Sequence, residues 1–250
     1  MLKTTLLSVG LALTLGTQAL SQSLNICVEG AYPPFSYTTE SGSVAGFDID
    51  IANALCENLG YDCALVKTGW DGIIPALLER KCDAIVASMA ITPERKQVVD
   101  FSMKYYNTPA RFVGREGMTM DSLKDAVVGV QRGTVHHEYM RGEHPTVDVK
   151  LYGSQDEAFL DLSAGRIDAV MGESIASATG FLDTDAGEGF AFFGPPISMP
   201  KYHGIGAGIA VRQGEEDLRN AISHAIGELR ADGTYKKINQ KYFDFDIFGG

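Results

Sequence analysis

Pro75-Ala-Leu-Leu-Glu-Arg-Lys-Cys-Asp-Ala-Ile-Val-Ala-Ser88 and Leu160-Asp-Leu-Ser-Ala-Gly-Arg-Ile-Asp-Ala-Val-Met-Gly-Glu173 are two versions of one pattern, set 85 residues apart. Leu77 falls on Leu162, Asp83 on Asp168, Ala84 on Ala169 and Ile85 on Val170. Each copy reads as a helix, a tight turn carrying a basic residue, an Asp-Ala pair and an apolar strand. The start of the chain has its own echo. Ile26-Cys-Val-Glu29 resembles Val128-Gly-Val-Gln131, each an apolar strand entering a Gly-containing loop. Any α/β chain shows some chance likeness between its βα units. Two echoes in the same order favour two related α/β lobes over one long sheet.

The flanking sequence fits that plan. Leu24–Val28 and Ala64–Lys67 read as strands, and Asp83–Ala87 as a buried one. Asp48 to Leu59 has helical spacing, with Asp48 as the expected N-cap. Asp71 is expected to cap a helix running to about Lys81. Thr92-Pro93 is a cap followed by Pro at the first helical position, a helix start. Gly204–Val211 is apolar and Gly-rich, as a strand crossing between lobes would be. Glu215–Leu229 then reads as an amphipathic helix and Thr234–Tyr242 as a short one, both returning to the first lobe.

Parallel sheets place ligand sites at the carboxyl ends of their strands. Ser88 and Glu173 hold equivalent places past that end in the two copies, as do Glu29 and Gln131 after the first strands. If the lobes face each other, all four point into one cleft.

Composition narrows the partners. Of 250 residues, 45% are hydrophobic and 21% charged, which excludes wholesale disorder. There are 21 Lys and Arg against 32 Asp and Glu, a formal net of −11. A net-acidic chain without a basic run is a poor binder of nucleic acid or anionic lipid. Residues 1–23 read as an export leader: Lys3, then the apolar run Leu6 to Leu15, then Thr17-Gln18-Ala19 with small residues at the −3 and −1 places. Cleavage after Ser21 or Ser23 is a rival. The apolar run is short of the roughly 20 residues that a span needs. No Cys follows it closely, as a lipoprotein anchor would require. No other segment is apolar enough to span, so the expectation is a periplasmic protein.

Export sets the cysteine chemistry. Cys56 and Cys63 bracket a short helix-to-strand turn in an oxidising compartment, so a disulfide is expected between them. No Cys-x-x-Cys or nearby His completes a metal tetrahedron. Cys27 and Cys82, in or beside apolar strands, are expected as two buried thiols rather than a second bridge. His136-His137-Glu138 invites a metal hypothesis, but adjacent helical positions diverge too far to chelate together. A solvated helix start is expected there. No nucleophile elbow, P-loop or dinucleotide fingerprint is present, and neither a metal nor a cofactor is expected.

Ala31-Tyr-Pro-Pro-Phe35, Gly46-Phe-Asp-Ile-Asp50, Trp70-Asp-Gly-Ile-Ile-Pro75, Ile91-Thr-Pro-Glu-Arg95 and the ending Ala231-Asp-Gly-Thr-Tyr235 with Lys241-Tyr-Phe-Asp-Phe-Asp246 resemble the periplasmic substrate-binding proteins of polar amino-acid ABC importers. The match runs in order over the whole chain after the leader. Within that family it is most similar to the lysine/arginine/ornithine, histidine and arginine/ornithine binders, with the opine binders as near relatives. The resemblance implies an α/β fold of the type II periplasmic-binding-protein class. Two lobes, each a mixed sheet flanked by helices, would be joined by two hinge strands near Asn107–Phe112 and Tyr202–Ala210. Lobe 1 would take residues 24–109 plus 207–250, and lobe 2 residues 110–206. The partners implied are a small amino acid or amino-acid derivative and the permease of an ABC importer. A monomer is expected.

The resemblance also assigns roles. Arg95 matches the family Arg that holds the ligand α-carboxylate. Guanidinium suits that task by bidentate bonding, and a cation in a first helical turn otherwise costs roughly 0.3–1 kcal/mol. Free N–H groups near Ser88–Ala90 and Thr134–Val135 would complete the anion pocket. Glu173 matches an acid, usually Asp, that binds the α-ammonium. Glu29 matches the acid that meets a cationic side-chain end and rejects acidic ligands by repulsion. Tyr32 and Trp70 would sandwich the ligand side chain, a guanidinium over Trp gaining about 0.5–2 kcal/mol. Trp70 also reads as a hydrophobic staple before Asp71. Ser88 would bond the ligand backbone. Ala87, Ala90 and Val135 stand where hydroxyl residues are usual, which leaves room for an opine. Gln131 faces the cleft, within reach of a distal guanidinium.

Two further functions compete. Exported cyclohexadienyl dehydratases share this scaffold, and turnover of prephenate or arogenate would reveal such an enzyme. Arg95 set against Glu29 and Glu173 suits a zwitterionic cation better. A sensory ligand-binding domain would require a separate receptor, since the sequence carries no signalling domain of its own.

Overall fold

The computed structural model describes residues 22–249; most of the expected leader, with its cleavage region after Ala19 or Ser21, lies outside the described residues. Strand β1 (Ser23–Val28) is followed by a three-stranded flap of β2 (Ala31–Tyr32), β3 (Ser36–Thr38) and β4 (Val44–Ala45). Next come α1 (Phe47–Leu59), β5 (Asp62–Lys67), α2 (Trp70–Leu78), β6 (Ala84–Ile85) and β7 (Val99–Tyr106). A second run holds β8 (Ala110–Arg115), β9 (Val127–Gln131), α3 (Val135–Glu143), β10 (Asp148–Tyr152) and α4 (Gln155–Ser163). It ends with β11 (Ala169–Glu173), α5 (Ser174–Ser177), β12 (Phe190–Ile197) and α6 (Pro200–His203). The chain closes with β13 (Ala207–Arg212), α7 (Glu216–Ala231) and α8 (Thr234–Tyr242).

The strands form two five-stranded sheets, β5-β1-β6-β13-β7 and β10-β9-β11-β8-β12. In each, the first three strands are parallel and the fourth is antiparallel to both neighbours. Both are therefore mixed sheets. The antiparallel strand of each is the one that arrives from the other sheet: β7 leads to β8 across 107–109, and β12 leads to β13 across 198–206. Helices cover both faces. Phe47, Ile51 and Leu55 of α1 pack with Ile226 and Leu229 of α7 over one face of the first sheet, and Ile73 and Leu77 of α2 cover the other. In the second sheet α3 and α4 do the same through Met140 and Phe159. Each such side chain withdrawn from water stabilises by about 1.5–3 kcal/mol. Among the described residues no helix is long and apolar enough to cross a membrane.

The repeat survives at the level of single hydrogen bonds. Asp83 Oδ2 accepts from the N–H of Asn25 at 3.0 Å, and Asp168 Oδ2 accepts from Val127 N–H at 2.8 Å. Each Asp locks its own strand to the first strand of its sheet. The registers correspond, Ile26 with Ala84 and Val128 with Ala169. The turn before each Asp passes through the left-handed region at Arg80 (φ 61°) and Gly165 (φ 68°).

Several local expectations are corrected. Asp48 does not cap α1. Gly46 does, at φ 129°, where a Cβ would lie 2.3 Å from the Phe35 carbonyl oxygen. Asp48 turns inward instead and is fully buried. Gly69, not Asp71, caps α2, and that helix ends at Leu78. Thr92-Pro93 opens only a single 3₁₀ turn, Arg95–Gln97, because β7 begins at Val99. One turn carries little dipole, so the electrostatic cost to Arg95 is smaller than a full helix would impose. Of Gly204–Val211, residues 204–206 belong to the crossing from β12, while the strand itself, β13 from Ala207, lies inside the first sheet with every residue buried.

Cys56 and Cys63 form the expected disulfide, with Cα atoms 6.1 Å apart. Cys27 and Cys82 are not free thiols but a second disulfide, at a Cα separation of 5.7 Å. Cys27 points from β1 to the face under α2, and the turn leaving α2 brings Cys82 down onto it. The corresponding residues of the second lobe are Gly129 and Ile167, where the Ile167 side chain packs directly over the glycine. The disulfide fills in one lobe the place that a methyl group fills in the other.

Candidate functional site

The carboxyl ends of β1 and β9 face each other across a cleft. Glu29 follows β1 and Gln131 ends β9, and Gln131 Nε2 donates to Glu29 Oε1 at 2.7 Å. Around them Glu29, Tyr32, Trp70, Ala87, Ser88, Ala90, Arg95, Gln131 and Val135 line one cavity, together with Thr134 and His136. Glu173 is the only expected contact outside that lining. Its carboxylate caps α5, accepting from Ile175 N–H at 2.9 Å and from Ala176 N–H at 2.8 Å. It still acts on the site electrostatically: after burial, the Glu173 charge is the next cause that raises the Tyr32 hydroxyl pKa.

Arg95 closes one end. Its Nη1 donates to the Ala90 carbonyl at 3.1 Å and its Nη2 to the Gly133 carbonyl of the other lobe at 3.2 Å. The guanidinium lies 5.3 Å from the Trp70 ring centroid, so Trp70 already carries one cation on its face. The Thr92 hydroxyl accepts from Arg95 N–H at 3.2 Å and fixes the backbone beneath. Among the described residues no carboxylate lies within ion-pair distance of Arg95. Burial lowers its pKa to about 10, partly offset by the charge of Glu94.

Glu29 closes the other end. It is 6% exposed, and burial raises it to about 7. The Gln131 bond lowers it, while the charges of Asp156, Asp48 and Asp71 raise it further. Among the described residues, only the neutral amide of Gln131 donates to it. Gln131 also reaches the Gly153 carbonyl at 3.3 Å, which anchors the amide to its own lobe. At the cleft rim Arg132 and Asp71 pair across the lobes at 3.3 Å. Both are about half exposed, so their pairing contributes roughly 0–1 kcal/mol.

Two lining side chains escape the sequence reading. Thr134 caps α3, accepting from His137 N–H at 3.3 Å, and its hydroxyl donates to the Gln131 carbonyl at 2.7 Å. His136 is the sharper correction. It does not lie at a solvated helix start but is buried in the first turn of α3. Burial, then the neighbouring His203 and Arg95, lower its pKa to about 3, so the ring is neutral at pH 7. Its Nδ1 has no partner among the described residues. The signal that finds it is the strand-end rule: α3 starts four residues past β9, and its first turn faces the cleft. Among the described residues no cluster of three or more His, Cys, Asp or Glu could hold a metal ion.

Comparison with known proteins agrees in kind with this geometry. Residues 24–245 match the family described as bacterial extracellular solute-binding proteins, family 3. The chain is 50% identical over 243 residues to the L-arginine-binding protein of Pseudomonas aeruginosa, covering 95% of this chain and 94% of that one. It is 38% identical over 259 residues to the lysine/arginine/ornithine-binding periplasmic protein of Escherichia coli, covering 99% and 100%. Among solved structures it superposes on a Salmonella typhimurium periplasmic binding protein described for high arginine specificity. The TM-score there is 0.84 at 32% identity, covering 89% of this chain and 100% of that one.

Proposed function

The chain belongs to family 3 of the bacterial extracellular solute-binding proteins, and we propose that it captures a cationic amino acid of the arginine and ornithine class and delivers it to an ABC importer. It is a binding protein and not an enzyme, as its relatives are. One observation supports the ligand class above all others. Among the described residues, a single cavity holds a guanidinium without a carboxylate partner, Arg95, and a buried carboxylate without a cation partner, Glu29. An amino acid with a cationic side chain supplies both missing partners, its α-carboxylate to Arg95 and its distal charge to Glu29.

In this reading the lobes are 24–109 with 207–250, and 110–206. They close on the ligand because each contributes to the cavity. The loop from Ser88 to Arg95 and the start of α3 form the carboxylate end, with backbone N–H groups of both completing it. Tyr32 and Trp70 flank the aliphatic stem. Glu173, with its oxygens already holding α5, supplies negative charge for the α-ammonium. The protein works in the periplasm after loss of a leader within residues 1–23, and its partner is the importer's membrane permease.

A calorimetric panel of L-arginine, L-ornithine, L-lysine, L-histidine and octopine tests the assignment. Tightest binding by arginine or ornithine supports it. A preference for octopine would move the ligand to an opine, whose bulk Ala87, Ala90 and Val135 leave room for. Turnover of prephenate or arogenate would refute a pure binding role.

A further inference from the structure

Asp48 does not line the cavity, yet it is bonded to a residue that does. Its Oδ2 accepts from the Ser88 hydroxyl at 2.9 Å, and its Oδ1 accepts from the Tyr105 hydroxyl at 2.8 Å. The Tyr105 oxygen in turn accepts from the Ser88 backbone N–H at 2.9 Å. One fully buried carboxylate therefore holds Ser88 by its side chain and, through Tyr105, by its backbone. Ser88 is a residue that requires holding. Its φ is 53°, in the left-handed region that residues with a Cβ seldom adopt.

The chain beyond Ser88 is anchored separately. Gly208 N–H donates to the Met89 carbonyl at 2.9 Å, and Ile91 N–H donates to the Gly206 carbonyl at 2.8 Å. Between these anchors lies Ala90, whose carbonyl accepts from Arg95 Nη1. The backbone turn at Ser88 sets the direction in which the following peptides point. Asp48 has no competing duty as a helix cap, since Gly46 caps α1. The buried carboxylate is met by the Ser88 and Tyr105 hydroxyls and the Ser88 backbone, and by no cation among the described residues, so its burial is costly.

We propose that Asp48 is a positioning residue for recognition of the ligand carboxylate, fixing through Tyr105 and Ser88 the loop that orients Arg95. The proposal rests on the reading of Arg95 as the carboxylate-holding group. Its consequence is selective: loosening the clamp harms ligands in proportion to their use of the carboxylate end.

Tyr105→Phe removes one hydroxyl and keeps the ring that stacks on Phe47. L-Arginine and L-argininamide, which lacks the carboxylate charge, are titrated calorimetrically into wild type and variant, the amide by displacement. The expected result is about a tenfold loss for arginine with argininamide changed by less than about twofold. Ser88→Ala, which deletes the other arm of the clamp, is expected to act in the same direction. Asp48→Asn is the direct variant; should it fail to fold, Tyr105→Phe, whose ring does not line the cavity, still decides. Equal losses for both ligands, or no loss for arginine, would overturn the positioning role. A wild-type protein that does not prefer arginine to argininamide would instead overturn the reading of Arg95, and the proposal with it.

Discussion

Glu29 and Gln131 occupy corresponding places in the two lobes, at the carboxyl ends of β1 and β9, and their side chains meet across the cleft at 2.7 Å. The pair is asymmetric in charge. The first lobe presents a carboxylate and the second a neutral amide at the same point of the fold. In the proposed reading, a cationic ligand side chain competes with the Gln131 amide for Glu29.

Glu29→Gln keeps the shape and removes the charge. Hydrogen bonds to a charged group contribute about 1.5–3 kcal/mol, so arginine should bind roughly 30-fold more weakly. Calorimetric titration of the variant checks this. Unchanged affinity would place the ligand's distal charge elsewhere.

Glu29 also predicts a pH dependence. Burial raises it from 4.5 to about 7, and Asp48 is raised from 3.8 to about 6. A raised carboxyl binds more protons folded than unfolded, so its contribution to stability declines as pH rises from the unfolded value to the folded one. For Glu29 that window is pH 4.5 to 7, with the penalty complete above it. Glu29→Gln should therefore melt higher than wild type at pH 8 without ligand, and this difference should shrink towards pH 5. Arginine binding requires the ionised form, so it should release protons near pH 6.5 and weaken as pH falls further. Titrations in two buffers of different ionisation enthalpy measure that release.

Trp70→Ala should weaken arginine more than lysine. Both ligands lose the support that Trp70 gives Arg95 at 5.3 Å. Arginine alone loses guanidinium stacking as well, a further 1 kcal/mol or about fivefold. Equal losses would argue that Trp70 serves only Arg95.

The two disulfides should differ in effect. Cys27–Cys82 closes a separation of 55 residues and Cys56–Cys63 one of 7. Chain-entropy arguments give about 4 kcal/mol for the first and about 2 kcal/mol for the second. Denaturant unfolding of the two paired Cys→Ala variants should rank them in that order.

Much of the fold was legible because it is written twice. Asp83 and Asp168 sit in equal spacing and do equal work, and the two first strands carry the matching ends that became Glu29 and Gln131. What stayed hidden depends on the third dimension. Cys27 and Cys82 meet only because β1 and β6 are neighbours beneath α2, a register that spacing does not reveal. Asp48 looks like a cap in one dimension, but Gly46 takes that place and turns the carboxylate into the core. His136 reads as polar surface until the first turn of α3 is seen to face the cleft. Ser88, expected from the strand-end rule, and Arg95, implied by the family motif, both line the cavity. Glu173, found by the same rule, lies one step back from the cavity because its carboxylate holds α5.

Titration of L-arginine into wild type and Arg95→Ala tests whether Arg95 holds the carboxylate of a cationic amino acid in this cleft. Saturable binding by the wild type and no measurable binding by a variant that remains folded are expected. Near-wild-type affinity in Arg95→Ala would contradict that role.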